Sequence, residues 1–182
     1  VTKAPLYPRD SHDDVEGDTD LQCVTTINLR GKNGKTGLPI DIIFSQQDGV
    51  LEGLTMFNYC KEDKFGIGGN DQNYFLELCP DIKLSRTTVR GKLDKDVKLI
   101  NAAKLTAEIS YMFKHNNIIR DKYEINMEDL YKKIKELGGD WDKILTCRQH
   151  WVFEEQFDSS PDFISSMDLL RWAAGEYVPY WM

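Results

Sequence analysis

The chain has 182 residues, 41% of them hydrophobic and 29% charged. That suits one folded domain, or a domain with a tail, and excludes both a disordered chain and a membrane-embedded one. No apolar run approaches the roughly 18–20 residues of a spanning helix, and a net charge of −7 argues against nucleic-acid binding over the whole surface.

Residues 1–20 read as an acidic flexible arm, and residues 21–182 as a single α+β domain. The arm holds Pro5, Pro8 and the acid-rich run from Asp10 to Asp20, with almost nothing to bury. Its start has no apolar signal-like region and no Met, as expected of a processed or excised segment.

Strands follow. Leu21, Cys23, Thr25, Ile27 and Leu29 alternate with polar residues, as do Leu38, Ile40, Ile42 and Phe44, with the turn-forming stretch 31–37 between them. This predicts a hairpin with those residues on its apolar face. Pro39 places the second strand at an edge or marks its first residue. Further strands are predicted at 54–60, 74–79 and 82–89, with Pro80 separating the last two and a glycine-rich loop over 61–73.

Helices dominate the second half. Ala102, Leu105, Ile109, Met112 and Phe113 recur at helical spacing within 96–116. Met127, Leu130, Tyr131, Ile134 and Leu137 do so again, with Asn126 as N-cap, Asp129 as the reciprocal acid and Gly138-Gly139 as the stop. The aromatic stretch 140–157 fits helix or strand. A last helix is predicted from Ser160-Pro161-Asp162 to Gly175. Strands first and helices after predict α+β: an antiparallel sheet of about four to five strands from the N-terminal half, covered by about three helices from the C-terminal half.

The helix from Met127 to Gly139, followed by Trp141, resembles the D-L-Y…G-G helix of AT-rich-interaction DNA-binding domains over some fifteen residues. The resemblance implies an all-helical, basic, DNA-binding fold. The strand-patterned N-terminal half and acidic C-terminal third depart from it.

The charge is sorted. Residues 83–122 hold ten Lys or Arg against four acids, a net of +6, while residues 1–20 sum to −4 and residues 140–182 to −5. A basic middle between acidic arms suits an anionic partner or the chain's own ends. Arg86 and Arg90 share a face if 82–89 is a strand, and with Lys92 they form a candidate surface for phosphate or acidic side chains. Trp172, Tyr177, Tyr180 and Trp181 crowd the C-terminus, as a tail tucked over the core or as an anchor for another chain.

Catalytic signals are weak. Cys147 and His150 stand three apart with Glu154 nearby, a conceivable thiolate–imidazole pair with an orienting acid. A zinc site lacks its second pair of ligands, so no metal is expected. Gly34-Lys35-Thr36 resembles the end of a phosphate-binding loop, but Leu29 stands where the first glycine belongs. No cofactor is expected. The four cysteines (Cys23, Cys60, Cys79 and Cys147) suit reduced core positions, with paired disulfides as the alternative and their pairing open; a cytoplasmic setting is slightly favoured over a secreted one. The leading expectation is a non-enzymatic interaction or assembly protein whose partner is another chain or a second copy of itself. The alternatives are a small cysteine-dependent hydrolase or transferase, and nucleic-acid binding through residues 83–122.

Overall fold

The computed structural model describes residues 21–27, 39–70, 73–85, 87–147 and 164–182. Two three-stranded antiparallel sheets and seven helices occupy them. The α+β class holds, but the expected single sheet is divided and the helices outnumber the expectation.

The first sheet begins as the hairpin the alternation predicted. β1 (Leu21–Ile27) pairs antiparallel with β2 (Pro39–Ser45), from Leu21 opposite Ser45 to Ile27 opposite Pro39. The intervening turn, with Gly34-Lys35-Thr36, lies outside the described residues. Pro39 is the first residue of its strand, where its missing N–H costs no ladder bond. The buried face of β2 is not the one the alternation chose. Ile43 and Ser45 are fully buried, whereas Ile40 stands 36% exposed. Cross-strand neighbours share a face, so Ile43 lies with Cys23 and Ser45 with Leu21, all four buried.

The strand expected at 54–60 is a helix. β3 is only Gly49–Val50, and α1 (Glu52–Glu62) follows at once. Leu54, Phe57 and Cys60 step by three and are buried, a spacing that a run with two aromatics had masked. Glu52 in the first turn and Lys61 in the last complement the helix dipole.

The glycine-rich segment is also ordered differently. β4 (Ile67–Asn70), β5 (Asn73–Leu76) and β6 (Cys79–Leu84) form the second sheet in that order. Gly66 has φ +66, and a Cβ there would lie 2.4 Å from Thr106 Cγ2 and 2.7 Å from Met127 Cγ. Close backbone approach therefore accounts for this glycine. Pro80 sits inside β6, not between strands, and β6 is an edge where a missing donor is tolerated. The strand expected over 82–89 ends at Leu84, and α2 (Val89–Leu93) begins where it was to finish.

α3 (Val97–His115) is the central element. Asp96 caps it, accepting from the N–H groups of Lys98 and Leu99. Its buried positions run from Leu99 to Phe113 and leave little of its circumference to solvent, so it is a core helix and not a one-faced surface helix. α4 (Asn117–Tyr123) follows. α5 (Met127–Glu136) matches the sequence reading closely: Asn126 Oδ1 accepts from Asp129 N–H at 2.7 Å, and Gly138 (φ +84) ends the helix. α6 (Trp141–Cys147) resolves the ambiguous aromatic stretch as helix as far as the described residues go. α7 (Ser166–Ala173) is capped by Ser165 with Asp168 reciprocating, and Gly175 closes it. The cap proposed at residues 160–162 lies outside the described residues. Two antiparallel sheets exclude the all-helical fold that the α5 resemblance implied. Among the described residues no helix is long and apolar enough to cross a membrane.

Candidate functional site

The site that emerges joins three elements that no linear motif connects. α1 presents Asn58 and Tyr59, each about one turn before Glu62, so all three line one side of the helix. α3 presents Ala107, Tyr111 and Lys114 at helical spacing. Between the two helices and the start of β2 lie two adjoining cavities of about 320 and 310 Å³, which share Ile40, Tyr59 and Tyr111. Together they form one groove of the size a small ligand or a few peptide residues would fill.

The two ends of the groove differ. At one end Met56, Ala107 and Met112 make an apolar wall. At the other, Asp63 accepts from Ser110 Oγ at 2.8 Å and pairs with the Lys114 ammonium. Lys114 also lies 5.3 Å from the centre of the Tyr59 ring, and Tyr111 stacks on His115 with centroids 3.9 Å apart. Burial, followed by the negative charge of Asp63, pushes the Tyr59 phenol up to about 12. It remains a neutral hydroxyl at any physiological pH.

Asn58 is the anomaly. It is 1% exposed, and neither Oδ1 nor Nδ2 has a hydrogen-bond partner. A buried amide left unpaired costs about 1–3 kcal/mol, and buried polar atoms are almost always satisfied. The sequence offered no signal for it: Asn58 fell in the middle of a run read as a strand.

The residues singled out from sequence are scattered. Arg86, His150 and Glu154, and the side chain of Cys147, lie outside the described residues. Arg90 donates to Asp48 at 2.9 Å and lies 3.9 Å from Asp94. Lys92 Nζ donates to the Lys83 carbonyl at 2.6 Å. Trp172 is 2% exposed and belongs to the core, with Tyr177 and Trp181 packed partly against it. Tyr180 is 65% exposed, near the exposed Val178 and Met182.

The basic segment is largely answered from within the chain. Lys98 meets Asp142 at 2.7 Å, Lys104 meets Glu52 at 2.7 Å and Lys122 meets Glu176 at 2.9 Å. Two of these acids belong to the acidic C-terminal segment, as the sorted charge had suggested.

Cys23, Cys60 and Cys79 are free and buried. Burial is the first cause that raises each thiol, Cys79 to about 11, which works against forming a thiolate. Among the described residues no three of His, Cys, Asp and Glu gather as metal ligands. Set beside known proteins, the chain matches no family model, no curated protein and no solved structure.

Proposed function

We propose that this chain is a non-enzymatic binding module for another protein, with the groove between β2, α1 and α3 as its site. The observation that carries the reading is Asn58, whose buried amide lacks a partner in the groove wall. A folding-only role would favour an apolar residue there, whereas a binding role explains a retained donor and acceptor. The apolar wall beside it, rich in adaptable methionine, suits a side chain of a bound protein.

The test replaces Asn58 by leucine, which has the same branching and number of side-chain heavy atoms and no polar ones. Asn58→Leu is expected to raise the unfolding free energy by about 1–2 kcal/mol in urea titrations. In the parent protein, N-methylacetamide, the simplest peptide-group mimic, is expected to shift the Asn58 side-chain NH₂ resonances. A less stable Asn58→Leu variant, or resonances that N-methylacetamide leaves in place, would overturn the reading.

A further inference from the structure

We infer that the groove takes an extended basic peptide segment, which adds as a strand to the open edge of β2 at Pro39–Asp41. The inference rests on the binding reading above and names what is bound.

The backbone carries the argument. Ile43 turns both its polar groups away from β1: its N–H donates to Thr55 Oγ1 at 3.0 Å and its carbonyl accepts from Leu51 N–H at 2.9 Å. Along a strand these directions alternate with each residue. Asp41, two residues earlier, therefore sends its N–H and carbonyl to the same side, as does the carbonyl of Pro39. β3 serves that side only as far as Phe44, and no described residue meets the Asp41 backbone groups. They open instead into the groove, whose lining includes Pro39, Ile40 and Asp41. An unpaired edge of this kind is a template for an added strand. The incoming segment would continue the line of β3.

The opposite wall suits the other edge of that segment. An extended peptide presents a donor and an acceptor on each side, and the Asn58 amide, enclosed in the wall, would turn outward to return one of each. Alternate side chains of a strand point to opposite faces. One set would meet the apolar wall of Met56, Ala107 and Met112, and the other would lie along the rim. The polar end of the groove carries the carboxylates of Asp41, Glu62 and Asp63, of which Asp63 is paired with Lys114. The rim therefore selects Lys or Arg, and the segment alternates apolar and basic residues.

The probe is the acetylated, amidated pentapeptide Lys-Val-Lys-Val-Lys, titrated into the full chain and followed by amide resonances. It is expected to shift the Asp41 N–H and the Asn58 side-chain NH₂, and to lose affinity as salt rises. Methylating the backbone nitrogen of its central lysine removes one backbone donor and is expected to weaken binding about tenfold. Asp41→Pro deletes the outward N–H while sparing the ladder to β1. It is expected to bind about tenfold more weakly than Asp41→Asn, which loses the charge alone. Equal binding of Glu-Val-Glu-Val-Glu, or no effect of N-methylation, would overturn the inference, and the latter needs no variant to fold. If N-methylacetamide moves Asn58 but the basic peptide does not bind, strand addition is wrong and the groove remains a site. If neither moves it, both readings fall together.

Discussion

Asn58 and Tyr59 are neighbours in sequence that fill opposite roles. The asparagine is buried without a partner, while the phenol gains a proton affinity above its ordinary value from burial and from Asp63. The second effect has a thermodynamic sign. A Tyr59 that ionises near pH 10 in the unfolded chain and near 12 in the folded one leaves stability untouched below pH 10. Between pH 10 and 12 the native state binds more protons than the unfolded one, so stability falls as pH rises through that window. Cys60 and Cys79, also raised, add to the same alkaline loss from about pH 9 upward. Tyr59→Phe is therefore expected to flatten the decline between pH 10 and 12 in denaturation midpoints, leaving the slope near pH 9 to the thiols. An unchanged alkaline limb in that variant would show that the Tyr59 phenol is not perturbed.

At the level of elements, legibility followed local chemistry. α5 was readable because its signals are all near in sequence: Asn126 and Asp129 exchange hydrogen bonds at 2.7 Å, and Gly138 takes the positive φ that stops the helix. Asn126→Ala is expected to cost about 1 kcal/mol in urea unfolding. α1 was misread because a run of seven residues with two aromatics fits a strand as well as a helix, and only burial of Leu54, Phe57 and Cys60 together distinguishes the two. Gly66 was taken for part of a loop, yet it lets β4 lie against Thr106 of α3 and Met127 of α5. Gly66→Ala adds a methyl group into that contact at a positive φ, and is expected to destabilise by about 2 kcal/mol or more, well beyond the lost cap.

Across the whole molecule the basic segment changes meaning. Read in one dimension, its net of +6 is a surface for an anion. In three dimensions Arg90, Lys98, Lys104, Lys114 and Lys122 each meet a carboxylate from another element. Most of these pairs are exposed and stabilise little on their own, but they leave the segment little field to offer a polyanion. The chain is accordingly expected to pass through heparin resin unretained at about 0.1 M salt, where a protein holding several phosphates would bind. The groove gathers acids of its own, one of which, Asp63, is paired with Lys114. It draws on Asp41, Asp63 and Glu108, which lie far apart in the chain.

Composition, turn chemistry and capping were enough to establish the α+β class, the β1–β2 hairpin, and the cap and stop of α5. Each depends on residues within a turn or two of one another, or on bulk hydrophobicity, and a linear reading sees both. The division into two sheets, the inner face of β2, the helix at α1 and the groove itself came from packing. They depend on which faces meet across α3, and the energies that choose among such meetings belong to pairs of residues tens of positions apart, about which local pattern carries no information.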